Sequence, residues 1–168
     1  MNINSLEQQI ADYVIKHKER HYRLAFSYVK NVDDALDIVQ ESIYKALASK
    51  DTLKETSYLK TWFYRIIVNT ALDFLRKQKR IGIMDEDVLT SLNGGTVDQY
   101  QDIDLQRALD GLPAQYRIVV ILRYFEDLKL EEIAEILGEN VNTIKTRLYR
   151  SLKKLRIQMN DEIKEDLA

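Results

Sequence analysis

Residues 130–155 read "LEEIAEILGENVNTIKTRLYRSLKKL". Leu130, Ile133, Ala134 and Leu137 recur at the three- and four-residue steps that gather side chains on one face of a helix. Gly138 follows, and glycine takes the positive φ that ends a helix without steric cost. A second periodic run then places Val141, Ile144, Leu148 and Leu155 on one side, with Asn140 or Asn142 available to cap its start. Two short helices joined by a sharp turn, with a small Ala134 permitting close approach, have the spacing of a helix-turn-helix. Once the apolar stripe is buried, Lys145, Thr146, Arg147, Tyr149, Arg150, Lys153 and Lys154 fall on exposed or flanking faces of the second helix. Lys145 and Thr146 lie toward the end that meets base edges in a major groove, whereas Arg150, Lys153 and Lys154 are better placed for phosphates. A solvated basic surface is the plainer alternative for any such face.

Charge is distributed unevenly along the 168 residues. The net value of -2 hides +4 over residues 1–80, -6 over 81–106, +3 over 107–159 and -3 over 160–168. The acidic stretch has no Lys or Arg and contains "NGG" at 93–95, a strong turn signal. Two small helical domains are therefore expected, 1–80 and 106–159, joined by a flexible acidic linker over 81–105 and followed by an acidic tail, 160–168. One Pro and five Gly in the whole chain favour helices over a turn-rich sheet protein, so the fold class is all-α. The absence of Cys excludes disulfides, thiolate nucleophiles and Cys-ligated metals. No signal-peptide pattern opens the chain and "IVVIL" at 118–122 is too short to cross a bilayer, so a cytoplasmic protein is expected.

In the first block, "DDALDIVQESIYKAL" sets Leu36, Val39, Ile43 and Leu47 at helical steps, predicting an inward apolar stripe opposite Asp33, Asp37, Gln40, Glu41 and Lys45. The stretch "SYLKTWFYRIIVNTALDFLRKQKR" places Leu59, Phe63, Ile66, Ile67, Thr70 and Phe74 along one side, offers Ser57 as a cap, and ends in Arg76, Lys77, Lys79 and Arg80. Trp62 and Phe63 are expected to pack in the core rather than stack on bases. In the second block, "RALDGLPAQYRIVVILRYFEDL" reads as a short helix, a turn at 111–113 and a longer helix ending near Asp127.

Catalytic patterns are absent. His17 and His21 stand at i and i+4, but Lys18 occupies the place of the glutamate of a zinc protease motif, and a surface pair is expected. The glycines, at 82, 94, 95, 111 and 138, form no phosphate-cradling loop. The expectation is no enzymatic activity, no metal, no cofactor and no small-molecule substrate.

Taken in order, "DDALDIVQESIYKAL", "LKTWFYRIIVNTALDFLRKQKR" and "LPAQYRIVVILRYFEDLKLEEIAEILGENVNTIKTRLYRSLKKLR" resemble the region 2 helices and region 4 helix-turn-helix of the extracytoplasmic function (ECF) sigma factors, the smallest members of the bacterial sigma-70 family. Three ordered motifs are far more specific than a lone helix-turn-helix. The resemblance implies that Asp37, Gln40 and Glu41 meet the clamp helices of core RNA polymerase. It implies that the loop 52–61 captures a flipped base of the minus 10 element, with Tyr58, Thr61, Arg65, Asn69, Arg76 and Lys77 along the same strand, where single-stranded DNA needs stacking surface and positive charge. It further implies that Lys145, Thr146, Arg147, Tyr149, Arg150 and Lys153 read or hold the minus 35 element. The implied partners are core RNA polymerase, promoter DNA and a membrane-anchored anti-sigma factor. Asn140 and Asn142 depart from the Pro and Gly common in the family here. The alternative is a stand-alone helix-turn-helix transcriptional regulator.

Overall fold

A computed structural model describes residues 5–81, 105 and 107–167, with side chains as far as Ile157. Among these residues the chain is helical, with no strand. It divides into two compact units, an N-terminal one built on Met1–Asp85 and a C-terminal one built on Glu86–Ala134 and Gly138–Ala168. Residues 82–104, most of the expected acidic linker, lie outside the described residues.

Among the described residues the N-terminal unit has four α-helices: α1 (Leu6–Lys16), α2 (Lys18–Val29), α3 (Val32–Ala48) and α4 (Leu59–Ile81). Each boundary has a local cause. Ser5 Oγ accepts the Gln8 N–H at 3.2 Å to start α1, and Asn31 Oδ1 accepts the Asp34 N–H at 2.9 Å to start α3. Between those two, α2 ends at Lys30 in the left-handed region, φ 54°, with its N–H bonded to the Phe26 carbonyl. Asp33 and Asp34 in the first turn of α3 face the positive end of its dipole. The core gathers Ile10, Leu24, Ala25, Ile38, Phe63, Tyr64 and Ile67, as α2 packs on α3 and α4 and α3 packs on α4.

On α3 the expected stripe is rotated. The buried residues are Ala35, Ile38, Val39, Ser42 and Ala46, whereas Leu36 is 52% and Leu47 39% exposed. Ala35, Ser42 and Ala46 let α3 sit close to its neighbours around Ile38 and Val39, while Leu36 and Leu47 stay outside. Ser42 is satisfied within its own helix, donating to the Ile38 carbonyl at 2.7 Å. Ser57 is also displaced from its expected role. It lies inside a 3-10 turn, Thr56–Tyr58, and its Oγ is 3.4 Å from Glu55 Oε2 rather than capping α4.

The surface pair expected at His17 and His21 is corrected too. His21 is fully buried among aromatic rings, with centroids 4.8 Å from Phe63, 5.3 Å from Tyr64 and 5.5 Å from Tyr13. Neither ring nitrogen has a hydrogen-bond partner among the described residues. Burial, then the charges of His17 and Arg20, push its pKa down to about 3, so the ring is a neutral packing element at pH 7. Its position on α2 faces α4, which two isolated histidines in a polar "HKERH" do not reveal.

The C-terminal unit begins with helical residues 107–110 and a turn through Gly111, followed by α5 (Ala114–Val120), α6 (Leu130–Leu137) and α7 (Val141–Leu167). The expected single helix to near Asp127 widens instead into a π-helical turn, Ile121–Phe125, where the Glu126 N–H reaches the Ile121 carbonyl at 3.0 Å. Arg123 Nη1 donates to the Leu128 carbonyl at 3.1 Å and ties the following turn back to that widened segment. Leu109, Leu112, Val120 and Leu155 form a buried cluster flanked by half-buried Tyr116 and Leu148. Ser151 Oγ donates to the Arg147 carbonyl at 2.6 Å and lies 3.2 Å from the Tyr116 carbonyl, where α5 and α7 pack together. The backbone of α7 runs on helically through most of the residues expected to form an acidic tail.

Candidate nucleic-acid interface

The turn between α6 and α7 is built as its sequence requires. Glu132 Oε1 accepts the Lys129 N–H at 2.9 Å at the start of α6, half of a capping box. At the other end Gly138 has φ 67°, and the Glu139 N–H reaches back to the Ala134 carbonyl at 2.9 Å. A Cβ added at Gly138 would meet no atom within 4 Å, so glycine is required there by backbone conformation and not by space. Of the two candidate caps, Asn140 acts: its Oδ1 accepts the Asn142 N–H at 2.7 Å.

Ile144, Ser151 and Leu155 are buried along α7. That fixes which side faces water. Lys145, Thr146, Tyr149, Arg150 and Lys153 are all exposed, Tyr149 at 70%, on a continuous outer face of three- and four-residue steps. Arg147 differs from the other expected contacts, because its Nη2 donates to Glu139 Oε1 at 3.1 Å and the side chain is only 22% exposed. Lys154 is also engaged, with Nζ 5.3 Å from the centroid of the Tyr116 ring. Thr146 Oγ1 donates to the Asn142 carbonyl at 2.9 Å, and the side chain remains exposed.

In the N-terminal unit, Tyr58, Arg65, Asn69, Arg76 and Lys77 are exposed. Arg76 makes an open ion pair with Asp73 at 3.3 Å, both side chains largely solvated. Thr61 does not join them. It is 8% exposed because its position on α4 falls between Leu59 and Phe63 on the covered side. Phe63 is fully buried, while Trp62 is half-buried and donates from Nε1 to Thr52 Oγ1 at 3.0 Å. With Leu53 buried as an anchor, this bond pins the segment 52–58 against α4. Sequence reasoning assigned Trp62 to packing and missed the hydrogen bond, because the partner sits ten residues away in an irregular segment.

The outer face of α3 presents Asp37, Gln40 and Glu41, as expected, and adds Val32, Leu36, Tyr44 and Leu47 to the same exposed surface. Lys45 lies at its edge, 3.6 Å from Glu41 Oε1 and donating to Thr70 Oγ1 at 3.3 Å. Large apolar side chains interleaved with carboxylates on a helix that could have buried them are the mark of a docking surface. Among the described residues no cluster of three or more His, Asp or Glu is placed to hold a metal. No described helix is long and apolar enough to cross a membrane.

A helix-turn-helix with an exposed basic outer face, beside a second helical unit with its own exposed cations, has the architecture of a nucleic-acid-binding regulator. Its sequence matches the family pattern of sigma-70 region 2 over residues 13–81 and that of sigma-70 region 4 over residues 102–155. It is 61% identical over 155 residues to the RNA polymerase sigma factor SigV of Bacillus subtilis (strain 168), covering 92% of each chain. It is 33% identical to the ECF RNA polymerase sigma factor SigW of the same organism, over 92% of this chain and 91% of that one. The sigma factor RpoE of Bartonella quintana, solved in complex with the anti-sigma factor NepR, superposes with a TM-score of 0.71 at 26% identity, covering 89% of this chain and 96% of that one. The chain belongs to the ECF sigma factors of the sigma-70 family.

Proposed function

We propose that this sigma factor directs core RNA polymerase to a two-part promoter through three surfaces, and performs no catalysis of its own. The C-terminal unit, residues 106–159, reads the minus 35 element with Lys145, Thr146, Tyr149 and Arg150 toward base edges and Lys153 toward phosphate. Arg147 contributes by holding Glu139 and the turn. The N-terminal unit, residues 1–80, holds the exposed strand of the minus 10 element with Tyr58, Arg65, Asn69, Arg76 and Lys77. The outer face of α3 docks on polymerase, with Leu36, Tyr44 and Leu47 supplying apolar area and Asp37, Gln40 and Glu41 supplying orientation. The acidic stretch 81–105 tethers the two units.

The observation that carries this reading is the outer face of α7, where five side chains able to contact DNA are exposed while Ile144, Ser151 and Leu155 bind the helix into its unit. An anti-sigma factor, anchored in the membrane, is the regulatory partner proposed. The RpoE complex above supports an anti-sigma partner, its membrane anchorage being part of the proposal, and a cytoplasmic location follows from action on polymerase. The test is transcription in vitro from a promoter library with core polymerase, comparing the parent with Lys145→Ala and Arg150→Ala. Chain-dependent start sites whose minus 35 preference relaxes in the variants support the reading. Tight operator binding by the chain alone, without dependence on polymerase, would instead establish a stand-alone regulator.

A further inference from the structure

We propose that the cleft where α1 passes into α2 is a further phosphate-binding surface for promoter DNA, separate from the minus 10 and minus 35 contacts; the proposal rests on the sigma-factor reading above. The chain breaks its helix at the single residue His17, which ends α1 and begins α2. Around that break lies a cleft of about 240 Å³ lined by Ile15, Lys16, His17, Lys18, Arg20 and Arg23, with Glu19 as its one carboxylate. Lys16, Lys18, Arg20 and Arg23 are all exposed, and none makes an ion pair with a described residue. Lys50, by contrast, is paired with Glu7, and Arg76 with Asp73.

The field there extends to a second element. His17 is held below its ordinary pKa by burial first, and then by Arg20, Lys16 and Lys60, the last of these from α4. Four cations against the single carboxylate of Glu19 leave the cleft net positive, and such a patch concentrates anions. They extend over roughly two helical turns instead of converging on one point, which suits successive phosphates of a strand more than a single small anion. Lys60 precedes Arg65 by five residues, about 140° around α4 at 100° per residue. The cleft therefore opens on a different side of the unit from Arg65 and Asn69, and no residue matched to the minus 10 element accounts for it.

The experiment uses the full chain with core polymerase and a promoter carrying a single-stranded minus 10 region. Affinity is measured against salt for the parent, for the combined Lys16→Gln, Lys18→Gln, Arg20→Gln and Arg23→Gln variant, and for Glu19→Lys. The expected result is a salt slope flattened by roughly 2 to 3 in the neutralised variant, at about 0.7 per lost single-strand contact, and a steeper slope in Glu19→Lys. Equal melting temperatures show that both variants fold, and Glu19→Lys keeps the test informative if the fourfold variant does not. Slopes identical to the parent in both overturn the proposal. So does saturable binding of inorganic pyrophosphate, lost in the neutralised variant, with the DNA slope unchanged, which would make the cleft a small-anion site. Lys145→Ala and Arg150→Ala are run in parallel: altered promoter choice there with unchanged slopes here sinks only the cleft, whereas no effect in either sinks the sigma-factor reading of α7.

Discussion

Helices α3 and α7 both carry an outward face proposed above to meet a partner, yet they expose different kinds of chemistry. On α7, polarity mostly follows burial: Ile144 and Leu155 are buried with Ser151, while Lys145, Arg150 and Lys153 are exposed beside Tyr149 and Leu152. On α3 they conflict. Its buried face is mostly small, with Ala35, Ser42 and Ala46, and its exposed face includes Leu36, Tyr44 and Leu47. A face that meets phosphate can be polar and still be found by its charge. One that docks on protein has to keep apolar area in water, and periodicity alone then cannot tell it from a core stripe.

The sharpest way to break this comparison is to truncate both faces of α3. Ile38→Ala, at a fully buried site, is expected to destabilise the N-terminal unit by about 2–5 kcal/mol, while Leu36→Ala stays within about 0.5 kcal/mol and weakens binding to core polymerase. Thermal or urea unfolding gives the first quantity and a polymerase pull-down titration the second. A large stability loss in Leu36→Ala would return α3 to the rotation that its sequence periodicity favours.

On α7 the corresponding change is Arg150→Ala, expected to cost about 1–3 kcal/mol in discrimination between matched and mismatched minus 35 elements, with stability unchanged. Competition transcription between paired promoters measures it. Loss of stability without loss of discrimination would move Arg150 from the reading face to the scaffold.

The two units should also part company with pH. Because the folded pKa of His21 lies near 3, below its ordinary 6.5, protonation favours the unfolded chain. The contribution of the neutral ring is complete above about pH 6.5 and is lost as pH falls from there toward 3, at up to about 1.4 kcal/mol per unit. Denaturation of the full chain between pH 7 and pH 4, followed by hydrogen exchange, should show α2 and α4 losing protection before α7. His21→Phe should flatten that dependence.

Among the changes expected to lower stability, Gly138→Ala has the smallest effect. With φ at 67° and open space around the added methyl, strain of about 1–2 kcal/mol is the whole cost, read as a fall in melting temperature. A larger loss would mean that the turn also depends on close packing.

Much of the C-terminal unit was legible because its signals are local. A glycine at the end of one periodic run, an asparagine at the start of the next and a basic face opposite the apolar one are each complete within a few residues, and the observed turn uses all of them. Even there, the Arg147–Glu139 pair engages a residue expected on the open DNA-facing side, since an ion pair eight residues apart depends on how the turn folds back. The N-terminal unit was less legible. The burial of Thr61, the Trp62 bond to Thr52 and the neutral His21 all depend on which element lies opposite.

By itself the amino-acid order determined the helical class, the helix-turn-helix and the sign of its outer face, because periodicity, capping and charge act between residues close along the chain. Only the tertiary structure decided which side of α3 is covered and that a histidine belongs in the core. Those outcomes depend on the space left between helices that meet across long stretches of sequence, where a small side chain on the inner face can outweigh a large one on the outer.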